Sequence, residues 1–134
     1  MSNDDSPVRA WYKAAPTDVE GMRAVLHPDV VFRVCAGWPN GGTYEGPNAV
    51  LNDFFPDAAK SWERVKPSVE DMIEAGDKVV VRGRYEGIAK PSGAPFSVQF
   101  VHIWRITDGK LIELDQIADS VILADAIAGR PQTR

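Results

Sequence analysis

The spacing of hydrophobic positions changes part-way along the chain. In the first third it is helical: Val8, Trp11 and Tyr12 share a face, and Pro7 suits a first turn where its missing N–H costs nothing. Pro16 ends that helix. Thr17 and Glu20 have the spacing of a capping box, and Val19, Met22, Val25 and Leu26 form the apolar stripe of a second helix ending near His27-Pro28. Residues 30–35 are rich in β-branched side chains and predict a strand, whereas residues 37–42, with Gly, Pro and Asn-Gly, predict a loop. A third short helix, starting near Pro47-Asn48, would carry Val50, Leu51, Phe54 and Phe55 and stop before Pro56.

Beyond that point the spacing becomes that of strands. Residues 65–74, 78–85, 96–107 and 110–118 read as strands, separated by Ala75-Gly76-Asp77, the Pro91 to Pro95 turn and Asp108-Gly109. Asp-Gly between two alternating runs is a strong hairpin signal. Residues 120–128 predict a closing helix. Helices first and hairpins afterwards predict an α+β fold, a curved mixed or antiparallel sheet packed on segregated helices. With no helix between Lys78 and Ala118, a Rossmann arrangement is excluded.

On residues 96–107 one face carries Phe96, Val98, Phe100, His102, Trp104 and Ile106. It is the apolar face, so His102 is expected to point inward between Phe100 and Trp104. Ile112, Leu114, Gln116 and Ala118 make the matching row on the next strand, while Glu113, Asp115 and Asp119 take the other parity. A buried His or Gln left without a partner costs about 1–3 kcal/mol. Two readings follow: a satisfied polar pair that sets strand register, or polar groups that meet a ligand in a cavity. Histidine titrates near neutrality and suits acid, base or anchoring roles. Strand parity does not separate the readings.

Composition narrows the class. The chain has 134 residues, 44% hydrophobic and 25% charged, which fits one globular domain spanning 1–134 with its core at about 8–127. A net charge of −4 argues against a globally basic nucleic-acid surface. A single cysteine, Cys35, rules out an internal disulfide and a multi-cysteine zinc site. His27 and His102 share no metal-ligand spacing, and no nucleotide-binding or nucleophile-elbow motif occurs, so neither a metal nor a cofactor is expected. No run approaches the ~18 apolar residues of a membrane span, and the polar start lacks the features of a leader. A cytoplasmic protein with no membrane partner is the expectation.

The strings GGTYEG, AGDKVVVRGRYEG and FVHIWRITDGKLIELDQIADS, in that order and spacing, resemble the SnoaL-like, ketosteroid-isomerase-related branch of the nuclear-transport-factor-2-like superfamily. The resemblance runs from about Val8 to Ile127. It implies a cone of three helices and a strongly bent sheet around a deep pocket, with dimers formed through the outer sheet face. Ketosteroid isomerases use an aspartate base, with a tyrosine and a protonated aspartic acid as oxyanion donors. Here Tyr12 lies where the isomerase tyrosine would, but Trp38 and Asn40 stand where the base is expected, and His102 replaces the acidic donor. Steroid isomerisation itself is therefore not expected. The cyclases of the SnoaL branch close a ring by an intramolecular aldol step with an acidic base near the last strand, which points to Asp119.

Each candidate has a structural alternative. Asp119 precedes a helical run and suits an N-cap. Trp38, in its Gly-rich loop, suits either a ligand platform at the cone's mouth or a clamp holding the loop to the core. Packing is the default for Trp11, Tyr12, Trp62 and Cys35, and His27 suits a helix C-terminus. The expected function is a small-molecule pocket, with His102 and Asp119 as acid–base groups and Tyr12, Trp38, Phe100, Trp104 and Gln116 against an apolar, carbonyl-bearing substrate. Isomerisation or cyclisation without a cofactor is the chemistry expected, in a homodimer. A noncatalytic ligand-binding or structural dimer is the alternative.

Overall fold

The computed structural model describes residues 6–131; the polar start of the chain, residues 1–5, lies outside them. Helix α1 (Pro7–Ala14) is capped by Ser6, whose hydroxyl accepts the Val8 N–H at 3.1 Å, and it buries Val8, Trp11 and Ala14. Helix α2 (Val19–Val25) is capped by Asp18 and not by a Thr17–Glu20 box; the Asp18 carboxylate takes the Gly21 N–H at 2.9 Å. A carboxylate there also meets the positive end of the helix dipole. The chain then enters strand β1 (Leu26–Val34) directly. His27 is consequently a strand residue and not a helix cap; its Nδ1 accepts the Asp29 N–H at 3.0 Å.

Strand β2 (Gly42–Glu45) follows the Gly-rich loop. A π-helical segment, Ala49–Phe54, continues into α3 (Phe55–Ala58), so the helix runs through Pro56 and does not stop before it. Pro56 is tolerated because it occupies the first turn of the new α segment, where its missing N–H removes no bond. The long strands are β3 (Trp62–Ala75), β4 (Lys78–Ala89), β5 (Pro95–Thr107) and β6 (Lys110–Ala118). Asp108 and Gly109, both at positive φ (55° and 72°), turn β5 into β6, the geometry that a two-residue hairpin requires. Asp119 caps the closing helix α4 (Ser120–Ala128).

The sheet order is β2-β1-β6-β5-β4-β3, antiparallel except for β1 beside β6, which is parallel. The fold is α+β with a curved, unclosed mixed sheet, as the alternation predicts. Phe32, Val81, Phe100, Trp104 and Leu114 on the inner face pack against Val8, Trp11 and Met22. A second cluster sets Val34, Trp38, Phe96 and Val98 against Leu123 and Ala126 of α4. The outer face is ionic: Arg33 bonds Asp115 and Glu113 at 2.6 and 2.7 Å, and Arg105 lies 2.8 Å from Glu113. These pairs are well exposed, so each contributes at most about 1 kcal/mol. Among the described residues no helix is long and apolar enough to cross a membrane.

Candidate ligand-binding site

His102 and Gln116 are cross-strand neighbours on β5 and β6 and are almost fully buried, at 4% and 3% exposure. Two tyrosines satisfy the imidazole. The Tyr12 hydroxyl, carried in by α1, lies 2.5 Å from Nδ1, and the Tyr85 hydroxyl on β4 lies 2.5 Å from Nε2. Each phenol has a further partner: Trp104 Nε1–H donates to the Tyr12 oxygen at 2.9 Å, and Tyr85 bonds the Gln116 side chain. The Gln116 Oε1 in turn accepts the Cys35 N–H at 3.3 Å. Phe100 lies over the imidazole with ring centroids 4.1 Å apart.

Burial sets the charge state. It pushes His102 from its ordinary 6.5 down to about 3, so the imidazole is neutral at physiological pH. Burial also raises both phenols, so they stay protonated; bonds from Trp104 to Tyr12 and from Gln116 to Tyr85 oppose the rise. A neutral imidazole has one N–H and one bare nitrogen. Two phenolic protons and one imidazole proton therefore serve two hydrogen bonds, leaving one O–H over. In the Nε2–H tautomer it belongs to Tyr85, and in the Nδ1–H tautomer to Tyr12.

Both tyrosines border a cavity of about 380 Å³, together with His102 and Gln116. Its wall is otherwise mostly apolar, with Trp11, Phe32, Trp38, Trp62 and Phe96 among its aromatic members. The charged residues Glu63, Arg64 and Lys90 border it too, but they are exposed and stand at its rim. Such a site holds a small apolar body and offers one uncharged donor to an oxygen on it. Among the described residues no group of three His, Cys, Asp or Glu side chains is placed to hold a metal ion.

The SnoaL-like domain model matches residues 8–114. The chain belongs to the SnoaL-like family. An NTF2-like protein from Burkholderia thailandensis E264 superimposes on it with a TM-score of 0.86 at 27% identity, covering 95% of this chain and 98% of that one. TerC, co-crystallised with polyporic acid, gives 0.83 at 28% identity over 91% and 95%. A candidate SnoaL-like polyketide cyclase from Jannaschia sp. CCS1 shares the fold at 20% identity, with a TM-score of 0.81 over 93% and 91%. No curated protein matches the chain significantly.

This SnoaL-like chain brings Tyr12, Trp38, His102 and Gln116 to one cavity. Trp38 is a buried wall residue, packed on Trp62 and Tyr85 with centroids 5.5 Å away in each case. Phe100 and Trp104 stand behind the wall, one stacked on His102 and the other bonded to Tyr12. Asp119 is not brought there: it caps α4, its carboxylate accepting the Ile122 N–H at 3.4 Å. Trp62, whose default reading is packing, also lines the cavity. Sequence reasoning missed Tyr85. The available signal was its parity with Val79 and Val81 on β4, opposite to Arg82, Arg84 and Glu86. Gly83 interrupts that row and hides it.

Proposed function

We propose that this chain binds a small, mostly apolar molecule bearing a carbonyl and, without a cofactor, catalyses a proton transfer on it of the kind that isomerises an enone or closes a ring through an enol. The observation that carries this is the Tyr12–His102–Tyr85 chain with its one spare phenolic proton beside the cavity. Starting from the Nε2–H tautomer, Tyr85 gives its proton to the carbonyl oxygen and the imidazole N–H replaces it. The Tyr12 proton passes to Nδ1, and the Tyr12 oxygen takes a proton from the carbon beside the carbonyl. The C–H electron pair becomes the enol C=C bond while the C=O π pair moves to oxygen. One proton leaves the relay and one enters, the imidazole ends in its other tautomer, and no net charge is left in an apolar interior.

His102 is the centre of this relay, Gln116 orients Tyr85, and Trp38 with its neighbours holds the apolar body. The test is hydrogen–deuterium exchange at the α-carbon of tetralone, followed by NMR. The protein is expected to accelerate exchange by about 10²–10⁴-fold over buffer, as general acid–base catalysis does, and His102→Ala to abolish the gain. Unchanged exchange in His102→Ala would remove the proposal. A noncatalytic binding module is the second reading, favoured by the engagement of both His102 nitrogens and the exposure of Glu63, the cavity's acidic residue. Tetralone binding without acceleration would decide for it.

The same family reading includes a homodimer through the outer sheet face. Ile73 and Ile117, 54% and 55% exposed, support it, since both lie on that face among paired charges. Apolar side chains left in water beside satisfied ion pairs suit a mixed interface.

A further inference from the structure

Strand β3 slips against β4 at the cavity rim. Glu63 pairs with Ile88 and Lys66 with Glu86, so Arg64 and Val65 together oppose Gly87. That is a β-bulge, and Arg64 is held in it at φ 57°. Glycine usually occupies the left-handed position of a bulge, because a side chain there is strained. Gly87 makes the bulge possible: a Cβ on it would lie 2.7 Å from Val65 Cγ2 and 3.1 Å from the Glu63 carbonyl oxygen.

The bulge changes what faces the cavity. Successive residues of a regular strand point to opposite faces, yet Glu63, Arg64 and Val65 all border the cavity. Arg64 is exposed and makes no hydrogen bond or ion pair among the described residues. Lys90 stands on the same rim, its ammonium donating to the Ala59 carbonyl at 2.5 Å. The rim thus carries two cations against the one carboxylate of Glu63, in a chain whose net charge is −4.

We infer that Arg64 determines ligand specificity, holding a carboxylate of the ligand at the rim while the ligand's carbonyl or phenol oxygen meets the Tyr12–His102–Tyr85 chain. This inference rests on the small-molecule reading of that cavity and adds the ligand class, an aromatic or alicyclic acid. A free guanidinium suits the task because its planar fork bonds both carboxylate oxygens at once. The strained backbone is retained because it directs that fork toward the opening. Lys90, a point charge already facing a carbonyl, adds attraction without that geometry.

The experiment compares a hydroxynaphthoate with its methyl ester, by fluorescence titration of wild type, Arg64→Gln, Arg64→Gly and Tyr85→Phe. Wild type is expected to bind the acid at least about tenfold tighter than the ester. Arg64→Gln should bind both alike, at the wild-type affinity for the ester. Arg64→Gly should show the same loss while melting no lower than wild type, because glycine relieves the positive φ. Tyr85→Phe should weaken both ligands and keep the preference. Equal binding of acid and ester by wild type, or a preference that survives in Arg64→Gln, would overturn the role of Arg64 and leave the cavity reading standing. Failure of both ligands to bind wild type would overturn both.

Discussion

The hydroxyl of Tyr85 meets Nε2 of His102 at 2.5 Å although the two residues are not paired across their strands. Tyr85 pairs with Val98 and His102 with Val81, so the contact runs diagonally across β4 and β5 on the inner side of the curved sheet. A flat sheet would hold these positions well apart; curvature and a long phenol bring them together.

Removing the Tyr85 hydroxyl leaves a buried ring nitrogen without its partner. Tyr85→Phe is therefore expected to destabilise the fold by about 1–3 kcal/mol, the cost of a stranded buried polar group. Urea unfolding followed by tryptophan fluorescence measures it. Loss of stability below a few tenths of a kcal/mol would mean that His102 finds another partner.

Protonation of His102 gives a pH dependence with a definite sign. Its folded value, about 3, lies below its ordinary 6.5, so between those values the unfolded chain binds more protons than the folded one. The contribution is fully present above pH 6.5 and is lost as pH falls toward 3, with a slope of up to about 1.4 kcal/mol per pH unit. His102→Gln has no such group. The stability difference between wild type and this variant, taken from denaturant curves at several pH values, should shift against wild type as pH falls. A difference that stays constant with pH would refute a neutral buried imidazole.

Asp119 separates a cap from a base. Asp119→Asn keeps a capping side chain and should leave stability nearly unchanged, whereas Asp119→Ala should cost about 0.5–2 kcal/mol. Neither is expected to change tetralone exchange once the protein is folded. An Asp119→Asn protein of normal melting temperature that lost exchange would make this carboxylate the base.

The outer face makes its own prediction. Wild type should elute with the mass of two chains by light scattering, and Ile117→Glu with the mass of one, because an unpaired charge at an apolar contact opposes association. A wild-type mass of one chain would exclude the dimer.

Much of this architecture is local and so legible in the sequence. Alternation along residues 96–107 put His102 inward beside Phe100 and Trp104, and Asp108-Gly109 marked the hairpin, because period and turn chemistry act between near neighbours. The same parity placed Arg33, Arg82 and Arg105 on the outer face, where they form ion pairs. Three things depended on tertiary structure. The parallel pairing of β1 with β6 joins segments some eighty residues apart, as Val31 with Glu113 shows, and no local pattern encodes a partner at that distance. The meeting of Tyr12, His102 and Tyr85 needs α1 laid across the curved sheet, since their spacing along the chain carries no signal. Asp119 went to a helix cap because the last strand ends at Ala118, and its carboxylate meets the first turn of α4. The sequence by itself determined which side chains face inward; only the folded chain decided which of them touch, because contact depends on how far the sheet bends.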